Sequence, residues 1–331
     1  MAAPGQQRVA AIDCGTNSLR LLIADIDPAR TELADVQRRM EIVRLGEGVD
    51  ATGRLASAAL ARTFAMLEEY ARAIDDSGAR AVRLVATSAT RDASNADEFA
   101  TGVKRILGVD PEVISGAEEA RLSFSGATAE LGRGTVTGQP SPPFLVVDIG
   151  GGSTEFVLGG PDANSSGGLS AISVDVGCVR LTERHLHGDP PTKEQIAAAT
   201  RDSDVALTAV ADAVPVASAQ TLVGLAGSVT TLTAVALNLA QYDPARIHHA
   251  RLSAARVHEV TVGLLGMDHE HRAAISVIHP GRVDVIGAGA LILDRIMRRF
   301  GFEEMVASEH DILDGIAWSI VDGVAGAPEA R

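Results

Sequence analysis

Two short stretches of this chain carry residues suited to gripping phosphate. In the first, an apolar run from Phe144 ends at Asp148 and turns through Gly150, Gly151, Gly152, Ser153 and Thr154. It then passes Glu155 into a second apolar run, Phe156 to Leu158. Glycine has no Cβ, so a ligand can approach the backbone closely and successive N–H groups can converge on an anion. Asp148 and Glu155 bracket the turn with carboxylate oxygens, the hard ligands that magnesium prefers. The second stretch repeats the plan: an apolar run from Val9 ends at Asp13, turns through Gly15, Thr16, Asn17 and Ser18, and resumes as Leu19 to Ile23. The two copies lie about 135 residues apart, which points to an internal duplication. The competing reading is a pair of ordinary glycine hairpins, but each turn carries an acid, a glycine and a hydroxyl together.

An arginine and a pair of glutamates are the next residues of note. Arg91 follows the apolar run Ala81–Ala86 in a hydroxyl-rich loop, Thr87 to Thr90. An arginine just past the C-terminal end of a strand is placed to meet a ligand, and its planar fork matches two phosphate oxygens. Glu118 and Glu119 sit in the first turn of a predicted helix that begins near Ser115. Capping and helix-dipole acids are the plain reading of that pair.

The elements needed to position these residues are legible from periodicity. Each phosphate-gripping stretch reads as strand–turn–strand. Helical spacing covers Ser57 to Ala73, Asn95 to Leu107 and the segment after Ser115. Later helices cover Thr192 to about Ala213, 253–265 and Val285 to Arg295. Thr221 to Leu232 reads as a strand, a glycine turn at Gly227 and a helix start, which serves either phosphate binding or plain packing. Residues 132–143 and 159–168 are rich in Gly, Ser, Pro and Thr or Asn and read as loops. The expected domains are 1–130 and 131–308, both α/β, with a final helix at about 309–322 packing on the first and a frayed tail over 324–331.

Composition narrows the function classes. Aromatic residues are 3%, too few for base stacking to be a main activity, and the formal net charge of −14 disfavours nucleic acid and anionic membrane surfaces as partners. Basic stretches at Arg180, Arg184, His185 and His187 and at Arg246, His248, His249 and Arg251 are the candidates for a locally positive surface. Cys14 and Cys178, the two cysteines, have no metal-ligand spacing and read as reduced thiols. The N-terminus has no signal-peptide core, and no apolar run approaches the ~20 residues of a membrane span. A cytoplasmic protein is therefore expected. The nine histidines form no HExxH-like cluster, and no nucleophile motif is present. Direct attack by water is favoured over a covalent intermediate.

Taken together and in order, five motifs resemble the exopolyphosphatase/guanosine pentaphosphate phosphohydrolase (Ppx/GppA) family over Val9 to about Ile320. They are Asp13 to Ser18, Ala86 to Asp92, Ile114 to Leu122, Val147 to Glu155 and Asp189 to Thr192. The resemblance implies an α/β fold of two duplicated actin-like ATPase (ribonuclease H-like) domains with an interdomain active-site cleft. It implies Glu119 as the catalytic glutamate acting on the attacking water and Arg91 as a catalytic arginine on the phosphate. Asn17, Ser18, Gly150, Gly151, Gly152 and Ser153 match phosphate-binding positions. Asp148 and Glu155, with Asp13, match the acids associated with Mg2+, for which Mn2+ is the expected substitute. Thr16 stands where many members have serine and keeps the hydroxyl. The chain resembles the short form of the family, without the extra C-terminal helical domains of larger members.

The expected activity is magnesium-dependent removal of the terminal phosphate of inorganic polyphosphate. Removal of the 5′-phosphate of guanosine pentaphosphate (pppGpp) is the alternative. A sugar- or acetate-type kinase and a non-catalytic polyphosphate or nucleotide sensor are the readings from other classes. The expected assembly is a homodimer.

Overall fold

The computed structural model describes residues 6–27, 29, 32–129, 131, 140–160 and 168–325. Most of the two expected loops and the end of the expected tail lie outside the described residues. By contacts the chain divides into two compact units, Met1–Leu122 with Ile312–Arg331, and Ser123–Asp311. One division falls inside helix Gly116–Thr128, so the two halves of a single helix belong to different units.

The first unit is built on a sheet of five strands: β1 (Gln7–Cys14), β2 (Ser18–Asp27), β3 (Glu32–Ile42), β4 (Ala81–Ala86) and β5 (Glu112–Val113). Their order is β3-β2-β1-β4-β5, with β1, β2 and β3 antiparallel and β4 and β5 parallel to β1. Alternation along β1 splits the core into two layers, as a strand of period two requires when both faces are covered. Ala10, Ile12 and Cys14 join a cluster with Leu60, Leu67, Phe99 and Val103, from helices Ser57–Ser77 and Ala96–Leu107. Val9 and Ala11 face the other way, into a cluster with Ile312, Leu313, Ile316, Ala317 and Val321. These belong to the last helix, Ile312–Ala325. The chain therefore returns at its C-terminus to complete its first sheet.

The second unit holds β6 (Phe144–Ile149), β7 (Thr154–Gly159), β8 (Ser170–Val174), β9 (Thr221–Leu225), β10 (Arg251–Ser253) and β11 (Glu304–Ala307). Read from its β8 edge, the order β8-β7-β6-β9-β11 repeats that of the first sheet, and β10 is added beyond β11. The senses repeat too: β6–β7 and β7–β8 are antiparallel, while β9 runs parallel to β6 and β11 parallel to β9. The duplication inferred from two short turns thus extends through five strands of each unit. Leu145, Val147, Ile149, Phe156 and Leu158 pack with helices Lys193–Ala213 and Ile286–Phe300 in the main core of this unit.

Candidate active site

The two glycine turns are closed alike. Gly15 N–H donates to Ser18 O at 3.0 Å, and Gly150 N–H donates to Ser153 O at 3.0 Å. Each turn is also pinned from outside. Asn17 O accepts from Val43 and Arg44 N–H, and Thr16 Oγ1 lies 2.9 Å from Ser88 Oγ. In the second unit Gly150 O and Gly151 O accept from the N–H groups of Cys178, Val179 and Arg180, at the start of helix Cys178–His185. Arg180 Nε adds a bond to Gly152 O at 2.7 Å. Gly177 admits this close approach: a Cβ there would lie 2.4 Å from Gly151 O. The Gly151 and Gly152 N–H groups take no part in these bonds.

The acids that bracket the turns are paired by register. Asp148 is the cross-strand partner of Glu155, and Glu155 is in turn the partner of Ser173 on β8. Residues directly opposite share a sheet face, so the two carboxylates and the serine form one row across three strands. Ser173 Oγ donates to Glu155 Oε1 at 2.7 Å, and Ser123 Oγ donates to Asp148 Oδ2 at 2.7 Å. Asp148 is 6% and Glu155 1% exposed, so these donors offset part of the cost of burying charge. In the first unit the register partner of Asp13 is Arg20, which holds Asp13 Oδ2 through Nε at 2.8 Å and Nη2 at 2.7 Å. The duplicated position thus carries an acid in one unit and a base in the other.

Arg91 and Glu119 meet within the first unit. Arg91 ends the short helix Ser88–Arg91 just after β4, and Glu119 lies in the first turn of the helix just after β5. The two strands are neighbours, which brings both residues to the same sheet edge. Arg91 Nη1 donates to Ile114 O at 2.9 Å and to Glu119 Oε2 at 3.1 Å. Its Nε and Nη2 donors lie outside those two bonds. Ser115 caps the helix: its Oγ and O both accept from Glu118 N–H, and Ser115 O also accepts from Glu119 N–H. Glu118 directs its carboxylate to Arg121 at 3.3 Å, so the neighbouring acids have different surroundings.

The other expected features are placed as follows. Arg184 and His185 bind Asp202, and Arg251 binds Glu304, so these parts of the basic stretches are matched by local acids. His248 stacks on His249 and His310. At the Gly227 turn the left-handed backbone falls on Ala226, with φ 65, while the Arg282 guanidinium lies against Gly227 and donates to Thr231 Oγ1 at 3.2 Å. Burial pushes the Cys14 thiol well above its ordinary range and also raises that of Cys178.

Sequence reasoning did not find Arg20, Ser123 or Ser173 as partners of the three acids. For Arg20 a signal existed, since it follows Asp13 at the spacing by which Glu155 follows Asp148. For the serines there was none, because their role depends on a helix and a strand that lie remote in sequence from the turn.

The donor set suits magnesium or manganese shared with a phosphate. Such ions take one or two carboxylates and complete their shell with phosphate oxygens and water. Asp148 and Glu155 supply two hard carboxylates on one sheet face, and among the described residues no group of three or more His, Cys, Asp or Glu forms a preformed cage.

A duplicated α/β protein with a glycine turn and an acid at the same place in each unit belongs to the phosphate-handling class of such folds. Residues 22–323 match the Ppx/GppA phosphatase family, and the chain belongs to that family. It is 50% identical over 324 residues to Exopolyphosphatase 2 of Mycobacterium tuberculosis (strain H37Rv), covering 95% of this chain and 98% of that protein. A solved structure of an exopolyphosphatase-like protein superposes with a TM-score of 0.88 at 41% identity, covering 96% of this chain and 98% of the other. The crystal structure of the Aquifex aeolicus Ppx/GppA family member gives a TM-score of 0.77 at 31% identity, over 97% of this chain and 100% of the other. Among the described residues no helix is long and apolar enough to cross a membrane.

Proposed function

We propose that this chain is a divalent-metal-dependent exopolyphosphatase, which releases orthophosphate from the end of inorganic polyphosphate by direct attack of water. The observation that carries the reading is the Arg91–Glu119 pair at 3.1 Å. It is supported by 50% identity to a protein named Exopolyphosphatase 2. Hydrolysis of a phosphoanhydride needs an aligned water, neutralised phosphate oxygens and a stabilised leaving group. Glu119 orients the water and accepts its proton. Arg91 Nη1 keeps that carboxylate in place, while its Nε and Nη2 receive phosphate oxygens in a bidentate grip. Asn17 and Ser18 from one turn and the Gly150–Ser153 turn from the other supply neutral donors. Asp148 and Glu155 hold the cation, which when bound draws charge from the phosphate oxygens. The reading includes a cytoplasmic homodimer.

The test is phosphate release with magnesium from short polyphosphate, long polyphosphate, guanosine pentaphosphate and ATP. Release from polyphosphate, lost on chelation and restored by Mg2+ or Mn2+, is the expected result. Release from guanosine pentaphosphate alone selects the nucleotide phosphohydrolase. Release from none of the four selects a binding protein, and ADP formed only with an added acceptor selects a kinase. Sedimentation at the mass of a single chain would remove the dimer from the proposal.

A further inference from the structure

The carbonyls of the second glycine turn are drawn to one side, toward a single helix start. Gly150 O accepts from Cys178 N–H at 3.0 Å, and Gly151 O accepts from Val179 N–H at 2.9 Å and from Arg180 N–H at 3.1 Å. Gly152 O accepts from Arg180 Nε at 2.7 Å. Cys178, Val179 and Arg180 open helix Cys178–His185, where the first N–H groups have no carbonyl of their own helix to meet. The turn supplies those carbonyls, and Gly177 lets the two backbones approach closely enough.

The direction of the carbonyls fixes the direction of the donors. A trans peptide is planar, so its N–H points opposite to its C=O. With the carbonyls of Gly150, Gly151 and Gly152 facing the helix, the N–H groups of Gly151, Gly152 and Ser153 face away from it. Successive N–H groups turned to one side make a concavity suited to an anion. Backbone donors hold the first two of these peptides. The third, between Gly152 and Ser153, is held by the Arg180 side chain. The arginine that the sequence offered for a positive surface is thus part of the frame of the turn.

We propose that Arg180 is a positioning residue of the phosphate site: by holding Gly152 O it aims the Ser153 N–H, beside those of Gly151 and Gly152, at a phosphoryl group. The inference rests on the reading that this turn binds phosphate. Every residue it uses belongs to the second unit.

Two substitutions separate the bond from the charge. Arginine Nε and glutamine Nε2 stand the same number of bonds from Cα, so Arg180→Gln keeps a donor in place and removes the charge. Arg180→Met keeps a stem of the same length and removes both. The test is calorimetric titration of the full chain with inorganic phosphate, alongside thermal melting. R180M is expected to bind phosphate about three- to tenfold more weakly with the fold retained, the effect of one lost hydrogen bond. R180Q is expected to recover most of that loss. The KM for polyphosphate should rise in parallel in R180M. Wild-type phosphate affinity in folded R180M overturns the proposal. So does an equal loss in folded R180Q and R180M, which would assign the effect to charge or packing. Should R180M fail to fold, R180A, which also lacks the donor, takes its place.

The wild type gives a check that needs no variant. With isotope-labelled glycine and serine, the amide resonances of Gly151, Gly152 and Ser153 are expected to shift on saturation with phosphate. Phosphate that binds and leaves them in place overturns the proposal, as does a wild-type chain that binds no phosphate. A wild-type chain that binds phosphate but hydrolyses no substrate refutes the phosphatase reading and leaves the R180M and R180Q titrations to decide the role of Arg180.

Discussion

Arg91 and Glu119 constrain each other, and that constraint sets the expected effect of altering either. Glu119 is 8% exposed and Arg91 fixes one of its oxygens, so an amide at this place keeps the shape and loses the proton acceptor. Glu119→Gln is expected to lower kcat for phosphate release by about 10²–10⁴ with substrate binding retained, as removal of a general base does. Undiminished release would overturn the role given to Glu119. The two thiols give an independent residue-scale check. Burial raises the pKa of Cys14 and Cys178, and the thiolate is the reactive form. The native chain is expected to react slowly with a thiol reagent at pH 8 and to show two accessible thiols once unfolded. Fast labelling of the native state would contradict the burial of both.

At the scale of elements, the two helices that divide their duties between sheet and site pass very close. A Cβ on Gly315, in helix Ile312–Ala325, would lie 2.0 Å from the carbonyl oxygen of Leu122. That neighbour is backbone, so it cannot rotate aside as a side-chain tip would. Gly315→Ala is expected to destabilise the protein by about 1–3 kcal/mol, the usual cost of overpacking, despite the better helix propensity of alanine. A melting curve matching the wild type would show that the helices separate more easily than their packing implies. The same element carries Asp314, whose carboxylate meets Arg38 of β3 at 2.6 Å. The sequence revealed the helices and most strands, because their apolar periods are strong. It did not reveal these approaches, because a glycine inside an apolar helix looks the same whether it faces a carbonyl or open space.

At the scale of the whole chain, the first sheet depends on residues that arrive last. Ile312, Leu313, Ile316 and Val321 are each at most 3% exposed and cover one face of β1 and β2. Burying a side chain of this size contributes about 1.5–3 kcal/mol, so the four together contribute about 6–12 kcal/mol. That is comparable to the entire stability of a typical domain, about 5–15 kcal/mol. A chain ending at Asp311 is therefore expected to lose cooperative melting of the first unit and to bind a hydrophobic dye. Retention of a native-like transition would show that this unit stands without its last helix. The overall charge of −14 acts at this scale too. Several of the arginines and histidines expected to offset it for a polyanion are spent on local acids such as Asp202 and Glu304.

The sequence by itself determined the duplicated strand–turn–strand plan, the family and the identities of Asp148, Glu155, Arg91 and Glu119 as the residues of interest. It could do so because glycine turns, apolar alternation and acids at strand ends are local patterns, set by backbone sterics within a few residues. Tertiary structure alone decided which partner each charged group has. Arg20 on Asp13, Ser123 on Asp148, Ser173 on Glu155 and Arg91 on Glu119 are hydrogen bonds that only strand register and helix packing bring within about 3 Å. That choice of partner is what separates two nearly identical turns: an arginine of the next strand meets the acid of one, and serine hydroxyls from a helix and a strand meet the two acids of the other.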